Sequence, residues 1–168
     1  MVIILMGVSG TGKTTVGQLL ATSLGWTFVE ADDFHPPANV AKMQGGTPLD
    51  DDDRRPWLAA LRDRIDAACG RSESLVMACS ALKQQYRDEL EQGCPGTIRF
   101  VYLTGSEELI RSRLDAREGH YMDPALLRSQ FDALEPPEEA IRVDVGRSPE
   151  QIAADIRRRL DFRRIEDQ

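Results

Sequence analysis

Long apolar runs are missing from this chain of 168 residues. No stretch approaches the roughly 18 consecutive apolar residues that a membrane-crossing helix needs. The short apolar segment at residues 2–6 passes straight into a glycine loop, unlike a secretory leader, so a cytoplasmic protein without a membrane partner is expected. Cysteine is scarce and unpatterned: Cys69, Cys79 and Cys94 are odd in number and lack Cys-x-x-Cys spacing. That argues against a thiolate metal site or a dithiol redox motif and leaves three reduced, packed thiols as the expectation. Positive charge is in deficit, with 21 Lys and Arg against 28 Asp and Glu. Polyanions are held through clustered cations, so no nucleic-acid partner is expected. The one basic run, Arg157, Arg158, Arg159, Arg163 and Arg164, shares a helical pattern with Ile152, Ile156 and Leu160 and reads as a solvated, salt-bridged last helix. Lysine is the rarest charged residue: Lys13, Lys42 and Lys83 stand beside eighteen arginines.

What is present is an alternation of strand-length apolar runs with segments of helical period, the pattern of βα units around a parallel sheet. Strands are expected at residues 2–6, 27–30, 75–78, 98–103 and 140–143. Helices are expected at 13–24, 55–68, 83–91, 107–117, 124–134 and 149–164. The class is α/β in one domain, 1–168. Pro36-Pro37, Gly45-Gly46 and Pro136-Pro137 punctuate connections long enough to call for a functional explanation.

The strongest motif is Gly7-Val8-Ser9-Gly10-Thr11-Gly12-Lys13-Thr14, which satisfies Gly-x4-Gly-Lys-Ser/Thr between an expected strand and an expected helix. Glycines let successive N–H groups turn toward a phosphate at a helix end that already favours anions. Together with Thr15 the segment is the expected phosphate cradle of ATP. Lys13 would reach the β- and γ-phosphates, and Thr14 would offer its hydroxyl to Mg²⁺, with Asp32 or Glu30 acting through water.

Equally informative are the motifs that do not follow. There is no Asn-Lys-x-Asp for guanine, and neither 75–78 nor 98–103 ends in the acidic residue of a Walker B strand, which disfavours GTPases and motor ATPases. Carboxylates gather instead after the second strand, at Glu30, Asp32 and Asp33, facing the crevice where phosphates bind. A kinase needs a carboxylate to orient an acceptor hydroxyl, and Asp32 is placed for it. The run Asp50 to Asp53 lacks the alternation that aims ligands at one ion, and capping of the following helix is its expected role, with Trp57 and Leu58 packing that helix. Met43, Met77 and Met122 are expected in the core or lining a pocket.

Several segments resemble the gluconate kinase family. They are Glu30-Ala31-Asp32-Asp33-Phe34-His35-Pro36, Asn39, Lys42-Met43, Gly46-x-Pro48-Leu49 and Asp51-x-Asp53-Arg54-x-Pro56-Trp57-Leu58. They continue with Ala78-Cys79-Ser80-Ala81-Leu82-Lys83, Tyr86-Arg87-Asp88, Arg113-Leu114, Gly119-His120-Tyr121-Met122, Ser129-Gln130-Phe131 and Leu134-Glu135. Ala31 departs from the glycine that many members carry there.

The resemblance implies a P-loop NTPase of the nucleoside-monophosphate-kinase/shikimate-kinase type. Such a protein is a three-layer sandwich with a central parallel five-stranded sheet flanked by helices, with a mobile lid at about 113–124 and a substrate-binding helical segment at about 35–69. It implies transfer of the γ-phosphoryl group of ATP to the 6-hydroxyl of D-gluconate, and a homodimer. Gluconate is a linear polyol with one carboxylate, so its site needs a cation far from the phosphates. His35, Arg54, Lys83 and Arg87 are candidates, with Ser80 and His120 as further contacts. Arg113 and Arg117 are lid cations expected to close over the nucleotide, Arg117 over the transferring phosphoryl itself. Residues 143–149 occupy the position of an adenine-contacting loop. A shikimate-type or nucleotide-type acceptor would share the P-loop, the acid and the lid, and a nucleotide-binding regulator would share the P-loop alone.

Overall fold

The computed structural model describes residues 1–92, 94–116 and 124–166. Five parallel strands, β1 (Val2–Met6), β2 (Thr27–Glu30), β3 (Leu75–Ala78), β4 (Ile98–Thr104) and β5 (Ile141–Asp144), form one sheet in the order β2-β3-β1-β4-β5. Strand β1 is fully buried, and its side chains alternate between two apolar layers. Val2, Ile4 and Met6 join Trp57, Leu58, Leu61, Ile65 and Leu90 on one face; Ile3 and Leu5 join Val16, Leu20, Ile152 and Ile156 on the other. A parallel sheet covered on both faces requires this double-sided apolar strand, and the result is the expected three-layer sandwich.

Seven helices are described: α1 (Lys13–Leu24), α2 (Pro37–Gln44), α3 (Asp51–Gly70), α4 (Gln84–Glu91), α5 (Glu107–Asp115), α6 (Pro124–Ala133) and α7 (Pro149–Glu166). Two differences from the sequence reading concern proline. Helix α2 lies where Pro36-Pro37 suggested only a connection; Pro37 occupies the first helical position, where a missing N–H costs nothing. Helix α3 begins four residues before residue 55. The Asp50 side chain accepts from the Asp53 N–H while the Asp53 side chain accepts from the Asp50 N–H, a capping box that starts the helix ahead of Pro56. The acidic run therefore caps α3, as expected, and also fills its first turn.

A third apolar cluster of Val8, Leu82, Ile110, Leu114 and Leu127 joins the glycine loop to α5, α6 and the turn after β3. The last helix meets the expectation: Ile152 and Ile156 are buried, and Arg158 and Arg159 pair with Asp155 at 2.7 and 2.8 Å. Two expectations are corrected. Cys69 and Cys94 are joined as a disulfide with Cα atoms 6.7 Å apart, because the end of α3 lies beside the loop that follows α4; only Cys79 is a free, buried thiol. Met43 is exposed rather than packed, since α2 buries little beyond Asn39, whereas Met77 is in the core. Met122 lies outside the described residues.

Candidate active site

The sheet register brings the two halves of the site together. Glu30, the last residue of β2, is level with Ala78 of β3, which is level with Leu5 of β1. The loop from Gly7 to Gly12, the acidic turn after Glu30 and the turn after Ala78 therefore leave the same edge of the sheet, the carboxyl end where ligands of open α/β sheets bind.

Two glycines of the loop are demanded by close approach. A Cβ on Gly7, whose φ is 140°, would lie 2.7 Å from the Leu103 carbonyl oxygen, and one on Gly10, φ 83°, would lie 2.9 Å from Leu114 Cγ. Val8 sinks its side chain into the third cluster, and the buried Thr11 hydroxyl donates to the Val8 carbonyl at 2.9 Å. Lys13 Nζ donates to the Gly7 and Val8 carbonyls, each at 3.0 Å, and so spans the mouth of the loop. The first N–H groups of α1, through Thr15, have no carbonyl of their own helix to bond, which makes this end an anion site.

The carboxylates divide the work. Thr14 Oγ1 donates to Glu30 Oε2 at 2.7 Å. Burial raises the Glu30 pKa, assisted by the nearby Asp32 charge, while the Thr14 bond and Lys13 oppose it. Asp32 sits in a single 3₁₀ turn, Ala31–Phe34, with its side chain 79 % exposed and 3.9 Å from His35 Nε2. It is the open carboxylate at the crevice.

On the acceptor side His35 stacks on Trp57, with ring centroids 4.5 Å apart and planes 9° from parallel, and its side chain is only 6 % exposed. Trp57 Nε1 donates to the Ala31 carbonyl at 2.8 Å, fastening α3 under the acidic turn. Asn39 Nδ2 lies 3.3 Å from His35 Nδ1 and donates to the Asp53 carbonyl at 2.8 Å, which makes Nδ1 an acceptor and leaves the Nε2 proton facing Asp32. Burial lowers the His35 pKa below 6.5; Asp32 opposes this and Arg54 adds to it, so the ring is neutral at pH 7.

The first turn of α3 then collects the cations. Lys42 pairs with Asp53 at 2.6 Å and Lys83 with Asp51 at 2.8 Å. Tyr86 also donates its hydroxyl to Asp51, and Lys83 and Tyr86 together hold the Asp51 pKa at about 2. Arg54 donates to the Leu49 carbonyl and, like Lys83, stands over the Tyr86 ring, the two at 5.7 and 5.6 Å.

Sequence reasoning about Arg87 needs correction. Its guanidinium is 2 % exposed and committed to the Ala81 and Leu82 carbonyls at 2.9 and 3.2 Å and to Gln84 Oε1 at 2.7 Å. It braces the turn after β3, where buried Ala81 takes a left-handed conformation, φ 42°, that costs a residue with a Cβ roughly 1–2 kcal/mol. With Nη1 spent on the two carbonyls and Nη2 on Gln84, the guanidinium is built into the turn rather than held out as a crevice cation. Ser80, half-buried in that turn, accepts the Gly7 N–H through its carbonyl at 3.2 Å and so couples the turn to the glycine loop. Arg113 donates to the Val145 carbonyl in the loop after β5, tying α5 to the segment placed for adenine. Arg117 and His120 lie outside the described residues, as does residue range 117–123 of the expected lid.

Four partners were not foreseen from the sequence: Asp51 and Tyr86, which hold Lys83; Asn39, which orients His35; and Gln130, whose Oε1 accepts the Ser9 N–H at 2.7 Å. Each lies in a motif segment, but position in a run does not say what a side chain reaches.

A family profile described as "AAA domain" matches residues 2–137. The chain is 45% identical over 175 residues to a probable gluconokinase of Rattus norvegicus, covering 92% of this chain and 95% of that protein. It is 46% identical over 157 residues to a gluconokinase of Gluconobacter oxydans, covering 92% and 88%. Among solved structures, a gluconokinase from Sinorhizobium meliloti superimposes with a TM-score of 0.84 at 42% identity, covering 96% of this chain and 95% of that one. A shikimate kinase from Aquifex aeolicus superimposes with a TM-score of 0.61 at 17% identity, a likeness of fold alone. With identity above 40% across nine tenths of its length, spanning the glycine loop, the acidic turn and the α3 cap alike, the chain belongs to the gluconokinase family of P-loop kinases.

Proposed function

We propose that the protein transfers the γ-phosphoryl group of ATP to the 6-hydroxyl of D-gluconate, giving 6-phospho-D-gluconate and ADP. The observation that carries this reading is the open Asp32 carboxylate beside an intact phosphate loop, in a chain 46% identical to a gluconokinase over 92% of its length. The loop from Gly7 to Thr14, with Thr15, binds the phosphates. Lys13 leaves the Gly7 and Val8 carbonyls for the β- and γ-oxygens, exchanging two neutral acceptors for charged ones. Asp32 accepts the hydrogen bond of the 6-hydroxyl and aligns that oxygen with the γ-phosphorus. As the new P–O bond forms and the bond to the ADP oxygen breaks, the hydroxyl proton passes to Asp32.

The oxygen donors of Thr14 and Glu30, 2.7 Å apart, suit a hard cation that keeps waters and phosphate oxygens as its other ligands, which fits Mg²⁺. When bound, Mg²⁺ neutralises the charge spread over the β- and γ-oxygens.

His35, Arg54, Ser80 and Lys83 hold the sugar acid within a helical segment, residues 35–69, and the turn after β3. Of the cations, Lys83 is the best placed for the substrate carboxylate: it is partly exposed and shares Asp51 with Tyr86, so an incoming carboxylate exchanges one ion pair for another. Arg113 and Arg117 belong to the nucleotide side, His120 to the acceptor side, of a lid at about 113–124. The 143–149 loop lines the adenine. We further propose that the enzyme works as a homodimer in the cytoplasm; among the described residues no helix is long and apolar enough to cross a membrane. Shikimate-type chemistry is the weaker reading, because only the fold supports it.

The test is ADP release by the purified protein with ATP and Mg²⁺, with and without gluconate, and with shikimate and nucleoside monophosphates as alternative acceptors. Gluconate-dependent ADP at least tenfold above each alternative is expected. Stimulation by shikimate or a nucleotide instead would transfer the assignment to that acceptor.

A further inference from the structure

One side chain outside the phosphate-binding motif grips it at two points. Gln130, on α6, accepts the Ser9 N–H through Oε1 at 2.7 Å and donates through Nε2 to Ser9 Oγ at 3.1 Å, across 121 positions of sequence. Ser9, half-buried, stands between two residues that packing holds. Val8 before it is buried in the third cluster, and Gly10 after it lies against Ile110 and Leu114. A neutral amide suits the place: it offers the acceptor and the donor that Ser9 needs without bringing negative charge toward the phosphates.

The same segment reaches the other half of the site. Phe131 and Leu134 pack on the cluster that contains both Val8 of the phosphate loop and Leu82 of the turn after β3. The Glu135 N–H donates to the Leu82 carbonyl at 2.9 Å, and Glu135 Oε2 accepts the Gln84 N–H at 2.6 Å. Six consecutive residues, 130–135, thus bond the phosphate loop at one end and the Ser80–Gln84 turn at the other. Phosphoryl transfer is sensitive to such spacing, because a 1 Å misplacement of reacting groups costs about a hundredfold.

We infer that Gln130 is a positioning residue for the transfer step: by fixing the Ser9 peptide it sets the phosphate loop at a defined distance from the acceptor-side turn. This rests on the kinase reading above and adds to it a role for a residue outside the motif. Gln130 touches neither reacting atom and acts through Ser9.

The experiment compares wild type with Q130A, S9A and the double variant, using full-length protein. Wild type with and without gluconate reads the function by itself. Q130A is expected to lower kcat about tenfold while the KM for gluconate stays within about twofold, the pattern of an interaction made in the transition state. ADP release without gluconate falls much less, so the ratio of transfer to hydrolysis drops, which loss of folded protein would not produce. The double variant loses less than the sum of the two single losses, since both substitutions remove the Gln130–Ser9 hydroxyl bond. ADP titration by calorimetry needs no acceptor: Q130A weakens ADP about threefold or more, and the double variant again loses less than the sum of the single losses. The inference is overturned by an unchanged kcat and ADP affinity, by equal losses of transfer and hydrolysis together with a lowered melting temperature, or by additive effects of the two substitutions. A gluconate KM that rises at constant kcat would overturn it too, by placing Gln130 on the substrate.

Discussion

The nucleotide half and the acceptor half of this site are built from different materials. Around the phosphate loop the bonds run to main chain: Gly7 N–H to the Ser80 carbonyl, Lys13 to the Gly7 and Val8 carbonyls, Thr11 to Val8, Gln130 to the Ser9 N–H. Around the acceptor there are also ion pairs between side chains, Lys42 to Asp53 and Lys83 to Asp51, at the first turn of α3. Main-chain groups recognise a phosphate whatever it is attached to, so the first half can be shared by many kinases. Ion pairs that must open for a ligand carry the choice of acceptor.

The deepest cut through this comparison is D32N. Asp32 belongs to the acceptor chemistry but stands at the edge of the nucleotide half, and the substitution keeps its shape while removing its ability to take a proton. We expect kcat to fall about a thousandfold with nucleotide affinity unchanged, within the range for loss of a general base. The measurements are the coupled assay and nucleotide titration; a loss under tenfold would remove Asp32 from the chemistry.

R87M should break the joint between the halves. Three bonds vanish beside a left-handed Ala81, whose buried carbonyl loses its partner, while the Leu82 carbonyl keeps the Glu135 N–H. A loss of about 3 kcal/mol follows, lowering the melting temperature by about 6–12 °C in calorimetry. If the melting temperature holds and the gluconate KM rises instead, Arg87 contacts the substrate after all.

K83R sharpens the comparison on one side only. The guanidinium keeps the charge but not the compact ammonium that Asp51 and the Tyr86 ring enclose. The gluconate KM should rise about tenfold, roughly one charge-assisted bond, while the ATP KM is unchanged. Steady-state kinetics with each substrate varied in turn provides the check, and unchanged constants would reduce Lys83 to a helix-end pair.

What was legible in the sequence follows the same division. The sheet could be read because a double-sided apolar strand such as Val2–Met6 has no other use, and α1 could be read because Lys13–Leu24 follows directly from the motif. The α3 start was misplaced because Pro56 looks like a boundary, whereas the capping box of Asp50 and Asp53 starts the helix five residues before it. Residue chemistry nominated Arg87 and Lys83 equally, since burial decides between them and composition does not carry burial. The Cys69–Cys94 pair, the Gln130 clamp and the Asp51–Tyr86 anchor span 25, 121 and 35 positions. Contacts of that kind depend on where the sheet order puts its loops, which no local pattern states.

The smallest expected effect concerns pH. His35 is held neutral under Trp57, with its pKa below 6.5 because burial penalises the charged ring. Above pH 6.5 the ring is neutral in both the folded and the unfolded chain and contributes no slope. As pH falls below 6.5 the unfolded chain takes up a proton that the folded one refuses, so stability is lost until the folded pKa is passed. In H35N the Asn Oδ1 can still accept from Asn39, but nothing at this position titrates. Melting temperatures of wild type and H35N between pH 7.5 and about pH 5 should therefore differ in slope, the wild type falling more steeply. A constant offset is expected from the lost stacking on Trp57 and is not the readout. Parallel curves would mean that His35 takes up its proton as readily in the folded chain as in the unfolded one, and a wild type that falls less steeply than H35N would mean that Asp32 holds the ring protonated, joining the acceptor side to the catalytic carboxylate by charge rather than by packing.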